Sequence, residues 1–185
     1  MIPHPAPLRP AAAADAALAA LGWSDAWAAA FEPYALQGLA PGRVAREDKL
    51  AYTVVGAAHT WRAALAGRLR HAAEQDGIRP AVGDWVALLP RPGEDAASVQ
   101  AVLPRRGAFT RKTAGAVTAA QVVAANVDWV LLVCGLDGDF SVRRLERYLT
   151  LAWNSGASPV IVLNKTDVCG DLTARLVDAE TVALG

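Results

Sequence analysis

Apolar positions from Ala12 to Leu21 fall at helical spacing, and Gly22 offers a stop. Trp23, Trp27 and Phe31 then recur four apart behind Ser24, a candidate N-cap. This predicts a second short helix whose aromatic face packs on the domain that follows. From Gly38 to Pro104 the texture changes to short β-runs, predicted as Gly42–Glu47, Leu50–Val55, Trp61–Arg68, Asp84–Leu89 and Val99–Leu103. Alternation is visible in Trp61-Ala63-Leu65 and in Val82, Trp85 and Ala87, with Gly56, Gly67, Gly77, Pro80, Gly83, Pro90 and Pro92 as punctuation. Five short strands in about 65 residues fit a small closed β-barrel, an OB-fold or another such as an SH3-like one.

From Asp128 the period changes again. Trp129–Cys134 reads as an apolar strand, Gly135–Asp139 as a loop, and Ser141 as the cap of a helix to about Asn154. That helix places Val142, Leu145, Leu149 and Ala152 on one face and Arg143, Arg144 and Arg147 on the other. After Gly156 and Pro159, Val160-Ile161-Val162-Leu163 is continuously apolar, the pattern of a strand buried on both faces of a parallel sheet. A right-handed β-α-β crossover follows from that pairing, and Asp171 caps a last helix stopping near Gly185. The expected organisation is a helical segment (1–37), a barrel (38–104), a connector (105–127) and the first part of an incomplete α/β parallel-sheet domain (128–185).

At 185 residues the chain has room for one large or two small domains. Lys plus Arg (18) balances Asp plus Glu (18), so net charge names no partner. Its distribution is more informative: residues 105–127 hold Arg105, Arg106, Arg111 and Lys112 and no acid. That stretch is either a solvated linker or a segment that contacts a nucleic-acid backbone, with Phe109 available to stack. In the barrel, Arg43, Arg46, Arg62 and Arg68, with Lys49 and Arg70, can line a phosphate-tracking face. The two cysteines, Cys134 and Cys169, lie 35 apart with no C-x-x-C partner, as reduced residues of a cytoplasmic protein do. Arg9, Pro10 and Asp15 spoil any signal peptide, and no apolar run reaches membrane-spanning length.

The chemistry concentrates at Asn164-Lys165-Thr166-Asp167, directly after the Val160–Leu163 run. Ligands of open α/β sheets sit beyond the carboxyl ends of strands. A carboxylate such as Asp167 accepts from two adjacent donors, and guanine offers N1–H and its 2-amino group. Adenine offers neither and leaves the carboxylate unpaired. Asn164 can donate to O6 or N7 or brace the loop, and Lys165 can lay its methylene stem over the base with its ammonium in water. The plain alternative is an ordinary strand-to-helix turn, where Asn and Asp are common.

A base reader needs a phosphate site to support hydrolysis. Gly107 to Thr113, G-A-F-T-R-K-T, only superficially resembles one. A phosphate loop needs a second glycine before the lysine, where Arg111 stands, and one more residue. Either the chain is no GTPase, or its nucleotide domain is circularly permuted with the phosphate loop beyond residue 185. Two strands ending at a helix-stop glycine favour the second.

The chain resembles the ribosome small-subunit-dependent GTPase A family (RsgA type). The matching features are L-G-W at 21–23, P-G-R-V at 41–44, V-G-D-W-V at 82–86 and L-P-R-R at 103–106 with Phe109 and Arg111. They continue with A-A-N-V-D at 124–128, D-F-S-V-R-R-L-E-R-Y-L at 139–149 and P-V-I-V-L-N-K-T-D at 159–167. The resemblance implies an OB-fold contacting 16S rRNA, a circularly permuted P-loop-type GTPase domain and a role in late maturation of the small (30S) ribosomal subunit. It implies GTP with magnesium in the complete protein, zinc in a C-terminal domain absent here, and a monomer with no membrane partner. Guanine recognition then falls to Asn164, Lys165, Thr166 and Asp167. RNA contact falls to Arg43, Arg46, Arg62, Arg68, Arg105, Arg106, Arg111 and Lys112. Catalytic and metal-binding residues are expected outside these 185 residues, so the chain alone is expected to be inactive. The competing expectation is a non-enzymatic RNA- or ribosome-binding module.

Overall fold

The computed structural model describes residues 11–49, 51–76, 79–112 and 120–183. They form two compact units, one built on the segment up to Arg105 and the other on Arg106–Lys112 with the segment from Val122.

The first unit opens with helices α1 (Ala11–Ala20) and α2 (Asp25–Ala35). Strands β1 (Ala40–Glu47), β2 (Tyr52–Val55) and β3 (Thr60–Leu65), helix α3 (Gly67–Asp76), then β4 (Trp85–Pro90) and β5 (Ala96–Val102) follow. The strands close into a five-stranded barrel in the order β1-β2-β3-β5-β4, with β4 returning to β1. Only the β3–β5 pair is parallel. This is the expected barrel, with the OB-type strand order and a helix between the third and fourth strands. Its interior is filled by Val44, Val54, Trp61, Ala63, Leu88 and Val99, all buried. β4 is buried on both faces for a simple reason. Val86 and Leu88 point into the barrel, while Trp85 and Ala87 meet Leu18, Trp27 and Phe31 of the two helices. Trp23 stands edge-on to Trp85 at 4.6 Å and to Phe31 at 5.9 Å, so the aromatic stripe is packing surface.

Strand bounds shift by a few residues, and one element of this unit was not expected. The alternation that reads as Trp61–Arg68 ends at Leu65, and Gly67–Asp76 is helical. That helix buries Ala73 and rests Leu69 against the barrel. Two apolar contacts in ten residues are too few to print a helical period. Leu50 and Gly77 lie outside the described residues.

One buried ion pair fixes the closing end of the barrel. Asp84 has no exposure, and its Oδ1 accepts from Arg105 Nε at 2.8 Å. Oδ2 accepts from Arg105 Nη2 at 2.6 Å and from Ala81 N–H at 2.8 Å. Arg105 also donates to Arg79 O at 2.8 Å. Asp84 O takes the amide of Val44 in β1, and Trp85 O takes that of Leu103 beyond β5. The V-G-D-W turn, β1 and the chain's exit from the barrel are thus held together.

In the second unit, β6 (Ala108–Lys112) and β7 (Ala120–Ala125) form a two-stranded sheet where a connector was expected. Gly107, in the segment that mimics a phosphate loop, has a packing role. A Cβ there would sit 2.0 Å from Ser155 O, and Asn126 N–H donates to Gly107 O at 2.9 Å. Thr113 lies outside the described residues. Strand β8 (Trp129–Gly135), helix α4 (Val142–Asn154), strand β9 (Ser158–Asn164) and helix α5 (Leu172–Ala183) complete the unit. β8 and β9 are parallel from Trp129↔Ser158 to Gly135↔Asn164. Ser141 Oγ caps α4 through Arg144 N–H, and Asp171 Oδ1 caps α5 through Ala174 N–H. Leu145, Leu149 and Ala152 of α4 are buried with Leu132, Cys134 and Ala179.

The expectation that Val160–Leu163 is buried on both faces of a parallel sheet is corrected: Val160 is exposed and the next three residues are half-buried. Leu132 and Cys134 face the helices, but Trp129, Leu131 and Val133 are 61–66% exposed and Val160 is 37% exposed. Both helices available to the strand pair lie on one side of it, so alternate residues of β8 face water.

Replacing Asp84 with Ala leaves the Arg105 guanidinium without its carboxylate, and the barrel should lose about 3 kcal/mol in urea unfolding. Asp48→Ala, which removes an ion pair between exposed side chains, should change stability by less than about 1 kcal/mol.

Candidate base-recognition site

The site forms where β8 and β9 end side by side. Parallel pairing in register brings Gly135 opposite Asn164, so the segments leaving both strands share one edge. Leu136 N–H donates to Asn164 O at 2.9 Å, extending the pairing one residue into the loop. Asn164 Oδ1 accepts from Lys165 N–H at 2.9 Å, which puts the side chain in the bracing role. Lys165 takes the left-handed conformation (φ 60°, ψ 41°), turning the chain sharply into the 3-10 turn Thr166–Val168.

The Lys165 ammonium reaches back across the strand ends to the carboxylate of Asp137, with which it is hydrogen-bonded. Thr166 and Asp167 are exposed, and the Asp167 carboxylate has no hydrogen bond or ion pair to any other described residue. Its acceptor lone pairs are open, as a two-donor base edge requires. The Lys165 ammonium holds the Asp137 carboxyl below its usual value, chiefly by the hydrogen bond. Asp139 in the same loop is engaged by Arg144 at 3.0 Å and raises that guanidinium's pKa, again mainly by hydrogen bonding. Burial pushes the Cys134 thiol up, and it donates to Leu132 O at 3.8 Å as a small core residue.

The structure therefore gathers Asn164, Lys165, Thr166 and Asp167 at one strand edge and adds two residues that sequence reasoning missed. Gly135 and Asp137 read as turn residues, and a partner 28 positions from Lys165 leaves no local signal. Among the described residues no three His, Cys, Asp or Glu side chains gather as metal ligands.

The eight RNA-contact candidates separate by what they touch. Arg43 donates to Leu21 O and Gly83 O and lies 5.9 Å over the Trp85 ring, and Arg105 is bound to Asp84. These two serve the barrel's own packing. Arg46 pairs with Asp48 at 2.9 Å, and Arg106 with Asp128 at 3.4 Å, all four exposed. Arg62 is exposed beside Lys49, Thr53 and Thr60 at an open depression of about 780 Å³ that also takes Asp48 and Asp95. Arg68 on α3 and Arg111 on β6 are exposed, and the side chain of Lys112 lies outside the described residues.

A closed five-stranded barrel with a parallel β-α-β unit whose second strand ends in Asn-Lys-Thr-Asp defines a class: an OB-type barrel ahead of a GTPase-type α/β fold. Comparison with known proteins narrows it. The RsgA GTPase family model matches residues 102–185. The chain is 46% identical over 172 residues to the small ribosomal subunit biogenesis GTPase RsgA of Syntrophotalea carbinolica, covering 89% of this chain and 47% of that protein. It is 47% identical over 171 residues to the protein of the same name from Opitutus terrae, covering 88% and 46%. Among solved structures, YloQ, described as a circularly permuted GTPase, aligns with a TM-score of 0.54 at 19% identity over 79% of this chain and 46% of its own. YjeQ from Thermotoga maritima aligns at 0.57 and 24% identity, covering 75% and 46%. The chain belongs to the RsgA GTPase family and shares the fold of these circularly permuted GTPases. It spans about half the length of the curated relatives it matches.

The Asp137 carboxyl carbon should titrate below the ordinary aspartate value of about 3.9, and Lys165→Met should return it there. Because the folded value is lowered, the pair's contribution is complete above the ordinary value and is lost as pH falls through the lowered one. Carbon-detected NMR titration reads both.

Proposed function

We propose that this chain supplies the RNA-contacting and guanine-selecting parts of a cytoplasmic GTPase that binds the small (30S) ribosomal subunit late in its maturation and hydrolyses GTP to GDP and phosphate. The observation that carries the reading is the open carboxylate of Asp167 beside a braced Asn164 at the carboxyl edge of a parallel strand pair. Relatives named as small ribosomal subunit biogenesis GTPases carry it from base recognition to ribosome assembly.

Guanine fits the residues present. Asp167 accepts from N1–H and the 2-amino group, Asn164 holds the turn, and the stem of Lys165 lies along the base plane. No residue of this chain is assigned to phosphate, magnesium or zinc. In phosphoryl transfer, magnesium would neutralise charge developing on the phosphates. For RNA, the exposed guanidinium groups of Arg62 and Arg68 suit backbone contact, Arg111 is exposed on β6, and Arg46 and Arg106 are reachable by exchange of a surface ion pair.

Two outcomes test this. In a form of the protein that includes the phosphate-binding segment, Asp167→Asn should weaken GTP roughly ten- to hundredfold and favour XTP, since an amide donates where the carboxylate accepted. Unmoved affinities for both nucleotides would remove Asp167 from the site, and subunit-stimulated hydrolysis by the 185-residue chain itself would show that phosphate chemistry resides here after all. Separately, rRNA affinity should fall with salt, and Arg62→Ala and Arg111→Ala should each lower the slope by about one. A flat salt dependence removes the cationic contacts.

A further inference from the structure

Lys165 has two carboxylates within reach in sequence or space: Asp167, two residues on, and Asp137, at the end of the neighbouring strand. The ammonium is bonded to Asp137, and Asp167 is left open. The other acid of the same loop, Asp139, is occupied by Arg144. Gly135 makes the arrangement possible. A Cβ there would lie 2.7 Å from Asp137 Oδ1 and 3.9 Å from Lys165 Cδ, so the lysine stem and the aspartate share the space over a bare Cα.

We propose that Asp137 is a positioning residue for guanine recognition. It draws the Lys165 ammonium off Asp167 and stretches the lysine stem across the strand ends as a shelf for the base. The inference rests on the guanine reading of the tetrad, and it adds a residue that touches no part of the base. Without Asp137, the released ammonium is free to pair with Asp167, two residues on, occupying the acceptors that N1–H and the 2-amino group need.

The test is a double-mutant cycle on the 185-residue chain, with binding of GMP and AMP followed through the backbone amides of residues 164–167 by NMR. Wild type should bind GMP weakly and AMP more weakly still. Asp137→Ala should weaken GMP about two- to fivefold, the range an exposed ion pair supports. Asp137→Glu should recover most of the loss. Gly135→Ala, whose new methyl would crowd the end of the Asp137 side chain at 2.7 Å and touch Lys165 Cδ at 3.9 Å, should reproduce it. In a Lys165→Met background, which keeps the stem and removes the charge, Asp137→Ala should change nothing further. Equal weakening in both backgrounds assigns Asp137 to the scaffold and overturns the proposal. So does an unchanged GMP affinity in Asp137→Ala, or complete loss of binding in Lys165→Met, which would put the ammonium on the ligand itself. Failure of the guanine reading is seen earlier, in wild type: GMP and AMP then behave alike before any Asp137 variant is made, and both conclusions fall.

Discussion

A carboxylate shut off from water governs the barrel unit. Burying Asp84 is unfavourable unless both of its oxygens find donors, and a two-pronged guanidinium with a backbone N–H supplies three. The requirement dictates much else. Arg105 has to leave the last strand at the point where its fork reaches Asp84. The turn before β4 has to present Ala81 N–H, and Arg79 O has to face the same guanidinium. β4 then begins with Trp85 directed outward, so the barrel cannot stand alone: it needs the Leu18, Trp27 and Phe31 surface of the leading helices to keep that indole dry. Helices and barrel are consequently one folding unit.

The second unit depends on a different constraint, the in-register parallel pairing of β8 with β9. Parallel registry places the two strand ends level. Two loops separated by a whole helix in sequence therefore become neighbours, and a lysine on one meets an aspartate on the other. A closely packed backbone at Gly107 and Ser155 and a capped, amphipathic α4 stabilise this unit. Asn164, Lys165, Thr166 and Asp167 are gathered at that level edge, one strand away from the loop that begins at Gly135.

Elements with strong periodicity were legible in advance: the alternating strands of the barrel, the Leu145–Leu149–Ala152 stripe of α4 and the apolar strand that precedes Asn164. Helix α3 was not, because a mostly solvated helix packed through Ala73 and Leu69 carries almost no amphipathic signature. β6 and β7 were hidden by cations that read as a linker, since Arg111 and Lys112 sit on a strand without disturbing its pairing. Charge also misled about roles. Arg43 and Arg105 count as basic residues in any sequence tally, yet their guanidinium groups are consumed by Trp85, backbone carbonyls and Asp84. The tetrad stood out as a polar cluster directly after an apolar strand, but the contact that holds Lys165 did not. Asp137 resembles any turn aspartate until the fold sets it opposite Lys165.

The left-handed backbone at Lys165 carries a consequence for how this motif can vary. An L-residue there is held about 1 kcal/mol above its relaxed conformation, and a branched Cβ raises that penalty. The position is therefore filtered twice, by a side chain long enough to span two strand ends and by a backbone state that excludes valine, isoleucine and threonine. Glycine would satisfy the second filter and fail the first. A random substitution at Lys165 mixes loss of a cation with loss of a turn, and only unbranched replacements such as methionine or glutamine separate the two. The motif letter read as a charge is equally a conformational specification, written into the chain by the geometry of one residue.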